Sequence, residues 1–290
     1  MDQGFASLHP APCFVYYVSL VILSMVLYHP LFLLPALFSM LLLNYLQDGG
    51  ARLKGSLKAY LLLGLLLALF NPLLSHRGET ILFYFRDNPI TLEAIAYGIT
   101  MMLSLVTVLV TFVSYNQTIT PDKFMYLFAS LCPQTAFLAM LTTRFVPFLK
   151  VRSEQINQVQ KAQGIDITRG SLKERLTNGM AILSILVMWS LEEAIETAQS
   201  MRARGYGSSR RRTSYFSYAM TRRDWLSLAL TVISASLLLL LWQAGYQHYQ
   251  IYPKVAAPGW ERETFLFFLV SGIYLGIPLV LEWWDRYTWR

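Results

Sequence analysis

The segment from Leu191 to Gly207, LEEAIETAQSMRARGYG, decides how the rest of the chain is interpreted. Apolar residues recur in it at intervals of three and four, which predicts one apolar stripe along a helix. The residues of this stripe are Leu191, Ala194, Ile195, Ala198 and Met201. Glutamate, glutamine and arginine side chains occupy the opposite face. The helix then reaches Ala203-Arg204-Gly205, and glycine is typical of the position that follows a helix C-terminus.

A shorter version of this pattern lies upstream, where Ala162-Gln163-Gly164 closes a second polar helix. Two related helix ends between apolar segments predict a paired docking device. Arg204 can pair bidentately with a carboxylate or donate to backbone carbonyls in a partner's groove. Gln163 can donate and accept hydrogen bonds but carries no charge. The alternatives are a capping arginine in a basic loop at Arg204 and an ordinary glycine-terminated helix at Gly164.

The composition indicates an integral membrane protein. Of the 290 residues 55% are apolar and 14% are charged, which is more apolar than one soluble core requires. Between Cys13 and Leu46 the only ionisable side chain other than Cys13 and tyrosines is His29. One helix of this length would be roughly 50 Å long, too long for a hydrocarbon core of about 30 Å. A hairpin broken near His29-Pro30 is therefore expected.

Six apolar segments are predicted to span the membrane: Cys13–Tyr28, Leu31–Leu46, Lys58–Leu74, Leu92–Tyr115, Trp225–Trp242 and Thr264–Trp284. The segments Gln47–Ser56 and Ser75–Ile90 are predicted to be loops. No cleavable signal peptide is expected, because the N-terminus lacks a basic region. Gly272 and Gly276 form a GxxxG face in the last span, for packing within the subunit or against a partner.

The block 116–224 is predicted to hold three amphipathic helices beneath or against the membrane. The first starts at Thr120-Pro121 and ends near Cys132, and the second runs from Pro133 to Gly164. The third begins near Ser171, where Glu174 has the spacing of a capping box, and ends at Gly205. This gives an all-α membrane protein with membrane helices in 1–115, a coupling block in 116–224 and membrane helices in 225–290.

Basic residues set the predicted orientation. With both termini in the cytoplasm, 20 of the 24 lysines and arginines lie on the cytoplasmic side, mostly in the block 116–224. The positive-inside bias favours this orientation. It also accounts for the net charge of +7 without a nucleic-acid partner.

Together these features resemble the transmembrane T component of energy-coupling factor (ECF) transporters, the group that includes cobalt-transporter permease subunits. Further motifs that carry the resemblance are Asn88-Pro89-Ile90-Thr91-Leu92-Glu93, Thr120-Pro121, Arg144-Phe145-Val146-Pro147 and Arg212-Thr213. The chain departs from the family at Gln163, where the family has an arginine.

The resemblance implies a scaffold that couples two cytosolic ABC-type ATPase subunits to a substrate-binding S component, for vitamin or transition-metal uptake at the cell membrane. Ala203, Arg204 and Gly205 would anchor one ATPase, and Ala162, Gln163 and Gly164 the other. The apolar faces around Leu191–Met201 and Phe137–Phe148 would receive the S component or pack the block together. The partners would bind ATP, and no cofactor is expected in this chain.

The main alternative is a self-contained secondary transporter or channel, with Glu93 and Arg144 in its pathway. A second alternative is an intramembrane enzyme. Motifs of the types GxxxxGK[ST], HExxH and GxSxG are missing from the sequence, so catalysis by this chain is not expected. The histidines, Cys13 and Cys132 have no metal-ligand spacing.

Overall fold

The computed structural model describes residues 4–75, 78–85, 88–129, 132–165, 167–168, 170–208, 218–245 and 262–288. Nine α-helices account for most of these described residues. They are α1 (Pro10–Val26), α2 (Pro30–Asp48), α3 (Ala51–Leu74), α4 (Leu92–Thr118), α5 (Pro121–Ala129), α6 (Pro133–Ala162), α7 (Leu172–Ala203), α8 (Arg222–Gln243) and α9 (Arg262–Thr288). The all-α class predicted from the sequence is confirmed.

The chain divides into two compact units. The first consists of Met1–Phe124 with Tyr218–Arg290, and the second is Met125–Ser217. Within the first unit, α4 packs on α1, α2 and α3, while α9 packs on α2 and α8, and α8 packs on α1. The second unit is built on the pair α6 and α7.

The core of the first unit is rich in buried aromatic rings. Tyr16 stacks on Tyr274 with ring centroids 5.2 Å apart, which ties α1 to α9. Tyr17 bonds through its hydroxyl to Ser114 at 2.7 Å, which ties α1 to α4. A buried hydroxyl in an apolar setting needs such a partner. Outward-facing leucines are exposed along α3, as suits a surface in contact with lipid acyl chains.

The 3₁₀ turn Gly4–Ser7 is held by charged side chains from other elements. The carboxylate of Glu282 accepts a hydrogen bond from the Phe5 N–H at 2.8 Å. The Lys123 ammonium donates to the carbonyl of Ala6 at 2.8 Å. These side chains satisfy backbone groups of the turn that have no hydrogen bond within a helix. The turn is thereby fixed against α9 and the start of α5.

Six helices in the described part of the chain are long and apolar enough to cross a membrane, namely α2, α3, α4, α7, α8 and α9. This confirms a multi-pass membrane protein, although the set differs from the six predicted spans. The first predicted span, Cys13–Tyr28, corresponds to α1, whose 17 residues extend only about 25 Å. The sixth candidate is instead α7, the least apolar of the six.

The predicted break at His29-Pro30 is confirmed. Helix α1 ends at Val26, and the His29 imidazole accepts a hydrogen bond from the Leu31 N–H at the start of α2. The predicted starts of α6 at Pro133 and of α7 after Ser171 are also confirmed.

Two predicted loops are wrong in part. Most of Gln47–Ser56 is helical, because α2 and α3 are joined by Gly49-Gly50 alone. The segment Ser75–Ile90 contains an antiparallel hairpin, β1 (Ile81–Phe85) and β2 (Asn88–Thr91). The carboxylate of Glu93 accepts hydrogen bonds from the backbone N–H and the hydroxyl of Thr80, which joins the chain before the hairpin to α4.

Candidate partner-docking site

Helices α6 and α7 form an antiparallel pair held by aromatic contacts. Phe137 near the start of α6 stacks on Tyr206 just beyond α7, with ring centroids 5.1 Å apart. Farther along the pair, Phe148 contacts Trp189 at 5.0 Å, and the Arg152 guanidinium lies 4.6 Å from the same indole ring. Such a cation–π contact contributes about 0.5–1 kcal/mol at an exposed site. Phe137 and Phe148 therefore pack α6 against α7.

The start of α7 is fixed by local hydrogen bonds. The Ser171 hydroxyl accepts from the Glu174 N–H, and the Glu174 carboxylate accepts from the Ser171 N–H at 2.8 Å. This is the capping box predicted from the sequence. The Arg175 side chain donates to the carbonyl of Ile167 at 2.9 Å, which holds the connection from α6.

Both predicted glycine-terminated ends have the same backbone geometry, the Schellman motif. At α6 the Gly164 N–H donates to Lys161 and the Ile165 N–H donates to Gln160, at 3.1 and 2.9 Å. At α7 the Gly205 N–H donates to Arg202 and the Tyr206 N–H donates to Met201, each at 3.0 Å.

The two glycines make these ends possible. Gly164 has a φ of 86° and Gly205 a φ of 77°, in the left-handed region where a side chain is strained. The orphan carbonyls of the last turn are thereby satisfied, and the chain turns away from the helix axis. The residue before each glycine, Gln163 or Arg204, is left at the tip of its helix.

The side chains at these two tips are uncovered. Arg204 and Gln163 are exposed, as are Ala203 and Ala162 beside them. Among the residues that the structure describes, neither the Arg204 guanidinium nor the Gln163 amide makes a hydrogen bond or ion pair. The negative end of a helix dipole favours a cation at Arg204. Its donors remain free for an acceptor outside the chain.

The two tips lie at opposite ends of the helix pair. Because Phe137 contacts Tyr206, the Gly205 end lies beside the start of α6. Gly164 is 27 positions farther along α6 than Phe137, which is about 40 Å at the helical rise. One pair of helices therefore presents two well-separated tips of the same backbone shape.

Helix α7 has two apolar faces, and only one is packed. Ile182 is buried and Leu186 and Trp189 are half-buried, and Trp189 contacts Phe148 of α6. The predicted stripe lies mainly on the other face, where Leu191, Ala194, Ile195 and Ala198 are exposed and Met201 marks its edge. Leu191 and Ile195 keep 61% and 59% of their surface accessible, so their role is not packing within α6 and α7.

The exposed stripe continues upstream beyond the predicted residues. The additional members are Leu172, Leu176, Met180, Leu183 and Val187, all exposed. They continue the spacing of three and four from Leu191 back to the start of α7. The sequence analysis missed them, although the same periodicity predicts them.

The remaining predicted residues lie elsewhere. Gly272 and Gly276 lie in α9, and a methyl group built on either would meet nothing within 4 Å, so they do not mediate close packing within the described chain. Arg144 is exposed on α6. The motif Arg212-Thr213 lies outside the described residues. The described residues contain no group of three His, Cys, Asp or Glu side chains that could hold a metal ion.

A family model, CbiQ, described as cobalt transport protein, matches residues 7–215. The matched region covers 209 of the 290 residues and includes both glycine-terminated helix ends. The chain belongs to the CbiQ family. The match ends before α8 and α9, so these helices are outside the part of the chain that carries the family assignment.

Similar proteins agree with the family assignment. This CbiQ family member is 32% identical over 108 residues to the energy-coupling factor transporter transmembrane protein EcfT of Bacillus subtilis. The aligned residues make up 37% of this chain and 41% of that relative. It is 34% identical over 107 residues to EcfT of Lactobacillus helveticus, 37% of this chain and 39% of the relative. The match thus spans about two fifths of these relatives' length. The predicted resemblance to an ECF transporter T component is confirmed.

Proposed function

We propose that this chain is the scaffold through which two cytosolic ATPase subunits move a substrate-binding S component. The observation that carries the proposal is the pair of Schellman ends with uncovered Arg204 and Gln163 at opposite ends of α6 and α7. Two such tips on one chain suit two partner subunits of related shape. The names of the EcfT relatives support an ECF complex.

Arg204 would enter a groove of one ATPase. Its planar guanidinium can form two parallel hydrogen bonds to a carboxylate or bond to backbone carbonyls. It stays charged at every physiological pH, so the contact persists while the ATPase opens and closes. Gln163 would make the corresponding contact to the second ATPase with neutral hydrogen bonds.

The exposed stripe of α7 would receive the S component. It runs from Leu172 to Ala198, which is about 39 Å at the helical rise. An apolar stripe of this length is unfavourable in water and needs an apolar partner or lipid. The S component would itself be a membrane protein and would bring such a surface.

The coupling is mechanical. The stack of Phe137 on Tyr206 and the contacts of Trp189 join α6 and α7 at several points. Displacement of the ATPases at the two tips would therefore reorient the pair as a unit, and the stripe with it. The partners would bind and hydrolyse ATP, and the nutrient would bind to the S component. Both termini and the coupling block would face the cytoplasm.

The test is the composition of the purified complex. The chain would be co-expressed with two Walker-motif ATPases and an S component, and the subunit ratio measured by native mass spectrometry. The proposal predicts two ATPase subunits per chain, and ATP-dependent uptake only when all components are present. Uptake by the chain alone in liposomes would instead support the secondary transporter or channel, with Glu93 and Arg144 in its pathway.

A further inference from the structure

Helices α8 and α9 line an open groove in the first unit of the chain. The groove has a volume of about 1020 Å³. Its walls are apolar for most of its length, with exposed residues such as Leu230, Ile273 and Val280. Gly272 and Gly276 form part of one wall, and the space beside them is empty. No side chain projects into the groove from these two glycine positions on α9.

The charged residues that line this groove lie at one end. They are Arg223 at the start of α8 and Asp285 near the end of α9, beside Gly4 and Ser7 of the N-terminal turn, and Ser227 follows Arg223 one helical turn later. Helices α8 and α9 are both long and apolar enough to cross the membrane. The groove thus has a charged mouth at the membrane surface and an apolar body in the hydrocarbon layer.

The acidic groups near the mouth are already engaged by the chain. Asp285 accepts hydrogen bonds from the Gly4 N–H at 3.1 Å and the Ser7 hydroxyl at 3.3 Å. Asp224 is buried and accepts from the His9 N–H at 2.9 Å and from the Thr221 N–H at 2.8 Å. Asp224 is thus buried against backbone donors, and Asp285, whose side chain is 16% exposed, is held by the N-terminal turn.

Arg223 lines the mouth of the groove, and Arg222 precedes it in the same helical turn without lining the groove. The Arg223 side chain is 63% exposed, and within the described residues its one ion pair is the 3.5 Å contact to Asp285. Arg222 is exposed and, in the part of the chain that the structure describes, forms no hydrogen bond or ion pair. Both lie in the first turn of α8, where the helix dipole disfavours a cation. The two arginines therefore do not stabilise α8 through its dipole. A bound anion would interact favourably with both guanidinium groups and with the positive end of the helix dipole.

We infer that the α8–α9 groove is a binding site for one anionic phospholipid, with the phosphate at Arg222 and Arg223 and an acyl chain along Gly272 and Gly276. The guanidinium group forms bidentate hydrogen bonds with phosphate oxygens. Anionic lipids also concentrate in the cytoplasmic leaflet, which the proposed orientation places at the start of α8.

A transmembrane helix of a partner fits the groove less well. Seated over the mouth, it would remove Arg223 from water and leave much of its guanidinium without an acceptor, which is costly in an apolar setting. A lipid keeps the same group at the headgroup level. The inference does not depend on the ATPase contacts of Arg204 and Gln163, and both helices follow the residues that match the family.

The test is lipid retention by the purified chain in native mass spectrometry, after incubation with equimolar dioleoyl phosphatidylglycerol and dioleoyl phosphatidylcholine. We expect one phosphatidylglycerol to be retained in preference. Arg222→Gln with Arg223→Gln should lower its retention about tenfold, which corresponds to about 1.4 kcal/mol. Gly276→Leu should lower retention too, because its side chain fills the groove without meeting other atoms.

The matched controls are Arg52→Gln and Gly55→Leu in α3. Arg52 is an exposed arginine with a side chain 65% accessible, and Gly55 is a helical glycine with nothing within 4 Å of an added Cβ. Both controls should retain phosphatidylglycerol as the unmodified chain does. Equal retention of the two lipids, or no effect of the double arginine change, overturns the inference. If Gly276→Leu lost the S component but retained phosphatidylglycerol unchanged, the groove would belong to a partner helix. That result would also overturn the lipid inference.

Discussion

Phe137 and Tyr206 stack with ring centroids 5.1 Å apart and ring planes at 20°. The contact joins the beginning of α6 to the residue that follows Gly205, so the end of α7 is anchored on its neighbour. The other glycine-terminated end, at Gly164, then lies about 40 Å away along α6. Two tips at this separation can be occupied by two partner subunits at once.

Gly205→Ala is expected to weaken the end of α7. Gly205 has a φ of 77°, and an alanine in this conformation costs roughly 1–2 kcal/mol. Amide exchange at the last turn of α7 should therefore accelerate about 5- to 30-fold, measured by hydrogen–deuterium exchange. The control is Gly179→Ala within α7, where the added methyl group meets nothing within 4 Å. Unchanged exchange in Gly205→Ala would show that the strain is absent.

The exposed stripe of α7 gives a second prediction. Leu191→Glu with Ile195→Glu places two charges on the proposed S-component surface, and burial of unpaired charge disfavours association. The S component should be lost from the purified complex while the ATPases remain. Val159→Glu on α6 is the matched control, since Val159 is 57% exposed and Ile195 is 59% exposed. Equal loss in the control would indicate a nonspecific effect of added charge.

The helix ends were predictable from the sequence because their signals are local. Pro133, the Ser171 and Glu174 capping box, and the glycines at 164 and 205 each act within one helical turn. The family resemblance also rests on short segments, and it proved correct over most of the chain.

The packing of α7 was not predictable in the same way. Trp189 and Leu191 both belong to apolar patterns with helical spacing, but Trp189 contacts Phe148 of α6 and Leu191 is 61% exposed. Which face is covered depends on the register with α6, a tertiary property. The length of the connection between α2 and α3 was overestimated for a related reason. Asp48 and Arg52 resemble a polar loop in sequence, yet they lie in two helices and pair at 3.6 Å across Gly49-Gly50.

The third prediction concerns orientation. Single cysteines would be introduced as Ser208→Cys and Leu82→Cys in a background without Cys13 and Cys132. Ser208 follows α7, and Leu82 lies in the hairpin with 53% of its surface exposed. A membrane-impermeant maleimide should label Leu82→Cys in intact cells and Ser208→Cys only after permeabilisation. Labelling of Ser208→Cys from outside would reject a cytoplasmic coupling block.

The fourth prediction concerns Gln163, where the resemblance to the T component leads us to expect an arginine. We expect a partner groove adapted to glutamine, so Gln163→Arg should bury an unpaired charge and weaken ATPase retention. The measurement is ATPase retention on the purified membrane subunit across a salt series. Tighter, salt-sensitive retention would show that a carboxylate still occupies the groove. No effect of either Gln163→Arg or Gln163→Ala would mean that this tip does not bind an ATPase.

The docking role of Arg204 is tested most directly by ATPase co-purification with Arg204→Glu, compared with Arg202→Glu two residues earlier. Both arginines are exposed, but only Arg204 caps the helix at its tip. Arg204→Ala should weaken that contact by about 2–5 kcal/mol, Arg204→Glu should weaken it at least as much, and Arg204→Lys should restore it poorly because lysine lacks the planar fork. Membrane insertion should be unchanged, ATPase retention and uptake should fall together, and Arg202→Glu should behave as the unmodified chain. Normal ATPase retention and uptake in Arg204→Glu would contradict the account.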